Sequence, residues 1–549
     1  MKCDRESGAV RTDRRRFIQT TGVLAVGSVL GSSLAGCSAE LLGTPLPSLG
    51  PAPPPTPVPG MTYIWASKIG CALDCDLSTG RNMHTGGEAT DDAPRINEAM
   101  AGASAANPIT LIIDGSALIS GLFLPAGGYW SIAGLGSATG FYTKSGSNCG
   151  AIQNAGAVFP WNPGPPAPPR NGSNVSLSNF TLNGNQNGVS TTGTRQGSHL
   201  IWYCGIALMN LKNISIENLV LANVPAYHVF LSNVGNVTVS GCIMQSAGLN
   251  TDGVHFNGPA NDISISNCQF ATGDDSIALN APEGYSGDIE RVTVIGCTFN
   301  SLSLMRLYTV SGPSGPTRSV IDGVTVSNCN GTLWNGAFVI GLSNGSLPNS
   351  IASLTISDCN FTAPTVLALA EDFGKIVLEN VKFTPSQARV VWPSQESNHV
   401  SAFLRPSLEN PGVTSIGSSL SFQNCSIVRK QNMNVAAVIL QVGSEIGNVE
   451  FDGFAVQDGY SPINGLIELE GSTIGQLSID SLNSSNIEAP IQPGGFAYIS
   501  SVTGTGTGVL ATGWEFPDAV MANEVPYVSA TTGQPSIKVN GVVEPYNPS

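Results

Sequence analysis

Three aspartates stand close together in a chain that uses charge sparingly. The stretch NTDGVHFNGPANDISISNCQFATGDDSIAL runs from Asn250 to Leu279 and holds Asp252, Asp274 and Asp275 beside two glycine turns. Clustered carboxylates can divide a proton between them, one kept protonated as an acid and another ionised as a base. The same residues are also ordinary turn chemistry, because Asp-Gly and Gly-Asp favour tight turns. Which reading holds depends on whether the fold brings the three side chains together.

The elements that must position them are repetitive. NVSLSNF begins at Asn174, NISIENL at Asn213, NVTVSGC at Asn236 and DISISNC at Asp262. RVTVIGC follows at Arg291, GVTVSNC at Gly323, SLTISDC at Ser353 and KIVLENV at Lys375. Each is a short alternating strand of β-branched residues that stops at Asn, Gly or Asp, so each reads as strand then turn. The segments close at Phe180, Leu219, Cys242, Cys268, Cys297, Cys329, Cys359 and Val381, most of them 22 to 32 residues apart, and weaker copies close at Cys425, Phe454 and Leu482. That period with strands and no helical periodicity predicts a solenoid, an all-β parallel β-helix. Registering one coil on the next aligns TDGVHF (Thr251 to Phe256) with DDSIAL (Asp274 to Leu279). Asp252 then stacks on Asp275 and Asp274 lies over Thr251, with His255, Asn257, Ser276 and Asn280 as outward neighbours.

Composition agrees with such a chain. Of 549 residues, 11% are charged, 41% are hydrophobic, 64 are glycine and 36 proline. A large core and many turns are expected. The formal charge of −15 opposes binding to nucleic acid or to an anionic membrane. DRRRFIQ (Asp13 to Gln19) before an apolar run reads as a secretory signal over residues 1–36, of twin-arginine type through Arg14, Arg15 and Phe17. LAGC (Leu34 to Cys37) has the form of a lipoprotein box, which would put a lipid on Cys37; the alternative is an ordinary signal with a chance cysteine. Residues 37–60 make a proline-rich spacer, 61–513 the β-helix and 514–549 a tail.

Twelve cysteines in an exported chain invite a disulfide reading. Six of them, however, share one slot of the repeat with Phe, Leu and Val, which predicts a column of buried free thiols. Cys71 and Cys75 lie outside that column and are the better candidates for a disulfide. EATDDAPRINEAM (Glu88 to Met100) is the one clear helix start, with Asp91 or Asp92 as cap and Pro94 in the first turn. Its Asp-Asp pair is thereby explained without catalysis, and the helix would cover the first coil.

The stretch NVPAYHVFLSNVGNVTVSGC…NTDG…TGDDSIALN, within Leu200 to Asn280, resembles glycoside hydrolase family 28, the polygalacturonase family. The resemblance implies a right-handed parallel β-helix, with Asp274 as general acid, Asp252 and Asp275 holding the attacking water, and inversion at the anomeric carbon. It implies no cofactor and no metal. Two family elements differ here. Where the family has Gly-His-Gly, this chain reads SLSLMRLYTV (Ser301 to Val310). Where it has Arg-Ile-Lys, this chain reads NGAFVIGL, which sets Phe338 and Ile340 at the cationic positions. Arg306 can replace part of that charge, or be a plain surface residue. His255 and His228 can contact sugar hydroxyls from cleft-side strands, beside Asn280, or be structural. The expected protein is an exported, monomeric hydrolase of a polysaccharide, touching a membrane only through a lipid on Cys37. A lyase or epimerase on the same fold, or a non-catalytic glycan-binding surface protein, are the rivals.

Overall fold

The computed structural model describes residues 49–154, 165–189, 203–281, 284–309, 319–341, 351–369, 373–387, 400–406, 419–440, 445–470, 472–481, 486–494, 498–503, 517–521, 526–532 and 534–546. The signal segment, Cys37 and Leu482 lie outside the described residues. The described chain winds into stacked coils whose strands pair in parallel from Thr62–Trp65 to Tyr498–Thr503. The recurrent segment forms one ladder. It runs through Gly172–Ser178, the second halves of Ile206–Glu217, Val229–Ser240 and Val254–Ser266, and then Ile289–Ile295, Ile321–Ser327, Ile351–Ser357 and Phe373–Glu379. A second ladder, which carries the acids, joins the first halves of those long strands to Asp275–Ala281, Thr298–Thr309 and Asn330–Ile340. A third is short, with Val220–Ala222, Ile243–Ser246 and Gln269–Thr272 among its strands. This is the parallel β-helix that the period predicts.

Strand alternation fills the interior. Val254, Phe256, Ile277, Leu279, Met305, Leu307, Phe338 and Ile340 are fully buried in one continuous core. The Asn, Gly or Asp that closes each repeat segment is there because the corner needs a left-handed backbone. φ is 51° at Asn218, 61° at Gly241, 53° at Asn267, 67° at Gly296, 53° at Asn328 and 52° at Asp358. Gly reaches that region without steric penalty, and Asn and Asp tolerate it better than other residues. Successive corners also bond side chain to side chain: Asn380 Nδ2 donates to Asp358 Oδ1 at 3.0 Å.

The residue after each corner turns inward. Cys242, Cys268, Cys297, Cys329, Cys359 and Cys425 are buried free thiols in that slot, as the shared position with Phe180, Leu219 and Val381 predicts. The Cys268 N–H donates to the Cys297 sulfur at 3.4 Å, and the Cys329 N–H to that of Cys359 at the same distance. Cys71 and Cys75 are corrected: both are buried free thiols, not a disulfide. Each thiol is pushed up to about 12, first by burial and then by nearby aspartates.

The predicted helix spans Ala93–Met100 and buries Ala93, Ile96 and Met100 against the first coils. Its cap differs from expectation. Asp92 occupies the cap position, but its carboxylate accepts the N–H groups of Ala72 (2.7 Å) and Leu73 (3.0 Å) instead. Asp91 takes the Ala93 N–H at 3.1 Å. The expected tail also holds structure. Strands Pro526–Val528, Pro535–Val539 and Val542–Pro545 form a small antiparallel sheet, and Val520, Met521 and Tyr527 join the main core.

Candidate active site

Register brings the three aspartates together. Val254 pairs with Ile277 and Phe256 with Leu279, so Asp252 lies beside Asp275 on adjacent coils. The Gly253 N–H donates to the Asp275 carbonyl at 3.0 Å, and the Gly273 N–H to Thr251 Oγ1 at 3.0 Å. Both glycines are required by close approach. A Cβ on Gly253 would come within 2.4 Å of the Ser276 carbonyl oxygen, and one on Gly273 within 2.3 Å of the Gly248 carbonyl oxygen.

Each carboxylate then meets a different environment. Asp275 is buried, and its Oδ2 accepts Arg306 Nε at 3.1 Å while its Oδ1 accepts the Ser303 hydroxyl. Asp252 is buried, and its Oδ2 accepts His255 Nδ1–H at 2.7 Å. Asp274 keeps part of its surface open and accepts the Asn250 N–H at 2.8 Å. Its carboxyl is pushed well above the usual range by desolvation, then by the charges of Asp275 and Asp252; Arg306 and the Asn250 N–H oppose this without cancelling it. A carboxyl with raised proton affinity beside two that accept strong donors is an arrangement able to divide acid and base roles.

The expected sugar-binding residues fall into different places. Arg306 is 11% exposed and ion-paired with Asp275, so it is part of the acid cluster and not a surface charge. His255 is buried. Its ring lies flat on Tyr227, with centroids 3.9 Å apart, and its Nε2 is 3.1 Å from Asn257 Oδ1 and 3.3 Å from Asn280 Nδ2. Asn280 is buried beside it. His228 is corrected. It has no exposed surface, its Nδ1–H donates to the Asp252 carbonyl at 2.8 Å, and its Nε2 lies 2.9 Å from Ser246 Oγ. Burial lowers its pKa to about 4, so the ring is neutral and serves the turn, not a sugar. Ser276 is also fully buried. Phe338 and Ile340 prove to be core residues, stacked on Met305 and Leu307. The outward neighbour of Arg306 on the next coil is Val339.

Ser303 and Tyr227 were missed from sequence. Ser303 was within reach, because carrying the Ile277–Met305 alignment two residues back sets it against Asp275. Tyr227 sits in a corner without periodicity, and nothing in NVPAYHVF marks its ring as the support of His255.

Fold and site together define a parallel β-helix protein with a three-carboxylate site on one ladder. Residues 203–330, the coils that carry it, match the family model Glycosyl hydrolases family 28. The polygalacturonase-like resemblance read from the sequence is thereby shown over those coils. A probable polygalacturonase from Arabidopsis thaliana is 26% identical over a stretch covering 21% of this chain and 32% of that protein. The chain thus spans about a third of the length of this relative. Among solved structures, the family 28 exopolygalacturonase of Yersinia enterocolitica superposes with TM-score 0.44 at 11% identity, covering 80% of this chain and 78% of that one. A surface adhesin of Streptococcus pneumoniae superposes with TM-score 0.43 at 12% identity, covering 88% and 99%.

Proposed function

We propose that the protein is a polygalacturonase-like glycoside hydrolase that cleaves a polysaccharide by inversion. The observation that carries this reading is the division of roles among three registered carboxylates. Asp274 keeps its proton and donates it to the leaving oxygen. Asp252 and Asp275, each held by a donor, activate water on the other side of the glycosidic bond. Inversion needs acid and base about 6.5–9.5 Å apart with water between them. The family 28 match over the same coils supports the assignment.

The substrate follows from charge. Arg306 is committed to Asp275, and the next coil sets Val339 beside it. A uronate placed here would face three acids with one shared cation, so neutral or sparsely charged glycans are preferred over unsubstituted polygalacturonate. The signal, the proline-rich spacer and Cys37 support export, with a lipid anchor at Cys37; action as a monomer is part of the same proposal. The test is a screen of new reducing ends over a polysaccharide panel at low and moderate salt. Turnover of a neutral glycan above polygalacturonate supports the reading. Products absorbing in the ultraviolet from a new double bond would make it a lyase, and binding without turnover an adhesin.

A further inference from the structure

Asp252 is held at both ends by histidine. Its backbone carbonyl accepts two bonds from His228, the amide N–H and Nδ1–H, each at 2.8 Å. Its carboxylate accepts Nδ1–H of His255 at 2.7 Å. The His255 ring is fixed in three directions: Tyr227 stacks on its face, Phe230 lies 5.9 Å away at 29°, and two amides meet its far nitrogen. Those amides are of opposite character. Asn257 Oδ1 accepts a hydrogen bond from Nε2–H when the ring is an imidazolium, and Asn280 Nδ2 donates to Nε2 when the ring is neutral. Either protonation state therefore finds one partner for Nε2, and in both Nδ1–H points at Asp252. A buried ring so supported is not shaped to meet a sugar.

We propose that His255 is a positioning residue that holds the Asp252 carboxylate ionised and aimed, as Arg306 does for Asp275, so that the shared proton of the cluster rests on Asp274. This rests on the hydrolase reading. The charged and titratable groups around His255 come from four coils: Asp252 on its own, Tyr227 and His228 before it, Asp274 and Asp275 after it, and Arg306 on the next. With His255 on Asp252 and the Arg306 guanidinium on Asp275, Asp274, whose donor is the Asn250 amide, is the place where a proton relieves repulsion. The raised proton affinity of Asp274 agrees with that outcome.

Two measurements test it. The first needs no substrate. The imidazole nitrogens of the five histidines are followed by NMR against pH in wild type and in Asp252→Asn. Loss of the carboxylate should lower the His255 midpoint by about one unit or more. An unchanged midpoint overturns the proposal. The second is kinetic, on whichever glycan the wild type hydrolyses. His255→Leu should lower kcat and move the acid limb of kcat/KM upward by about one pH unit, with KM nearly constant. His255→Gln keeps an N–H donor and should recover part of both. A raised KM with kcat and the acid limb unchanged would make His255 a sugar ligand and overturn the proposal. If both variants fail to fold, the NMR comparison decides. If the wild type hydrolyses nothing, the hydrolase reading falls, and the NMR result still shows whether His255 and Asp252 are paired.

Discussion

Acidification should weaken the coil that carries the site, through His228. The ring is fully buried, and burial holds its pKa near 4, against an ordinary 6.5. A base whose folded value lies below its unfolded value takes up protons in the unfolded chain first. Stability is therefore intact above about 6.5 and falls as pH drops from there towards about 4. Between about pH 7 and pH 5 the loss from this one ring is about 2 kcal/mol, with a ceiling of about 3 kcal/mol at lower pH. His228→Asn keeps a donor near the position of Nδ1 and removes the ionisation. Urea unfolding of both proteins at the two pH values gives a double difference in which every other titrating group, Asp274 included, cancels. The wild type should lose about 2 kcal/mol more than the variant. Equal losses would refute a buried neutral ring, and a larger loss in the variant would reverse the sign of the linkage.

Three further outcomes follow from the same structure. Asp274→Asn should lower hydrolysis by about 10²–10⁴-fold. Its folded carboxyl titrates above the unfolded value, so the variant should also melt higher near neutral pH, with the gain fading in acid; a variant that keeps half its activity would remove Asp274 from the mechanism. Alkylation under denaturing conditions without reductant, read by mass spectrometry, should label Cys242, Cys268, Cys297, Cys329, Cys359 and Cys425; a Cys268–Cys297 bridge would break the proposed column. Arg429 and Asp458 form a buried pair at 2.7 Å, and Arg429→Met should destabilise by about 3–5 kcal/mol, because it strands a buried carboxylate. A melt unchanged from wild type would show that water reaches the pair.

Much of this architecture was legible because a solenoid writes the same physical demand many times. One left-handed corner is a weak signal, but Asn218, Gly241, Asn267 and Gly296 at matching places fix a coil length. The same register placed Asp252 on Asp275 from two six-residue strings. It failed where the demand occurs once. The coil after Arg306 was aligned one residue out, which turned the core side chains Phe338 and Ile340 into imagined cleft residues. In a strand with period two, a slip of one exchanges the faces. For His228 the sequence leaves sugar contact and a structural role both open, for a related reason. Its strand lies on the cleft ladder, yet the residue sits at the corner, where alternation no longer tells inside from outside. The antiparallel sheet near the C-terminus was invisible because its strands are short, lie beyond the last clear repeat and contain proline at Pro526, Pro535 and Pro545.

That small sheet and the helix at the other end bear on a hazard built into stacked parallel strands. The last coil of a β-helix presents a row of backbone donors and acceptors that another copy can extend, and nothing in the ladder itself says where to stop. Here Ile96 and Met100 seat the helix on the first coils, while Tyr527 and Met521 plug the core near the last. The elements flanking the ladder differ in kind, one helical and one an antiparallel sheet. The described carboxylate site lies on coils between these two elements, away from the strands at either end of the ladder.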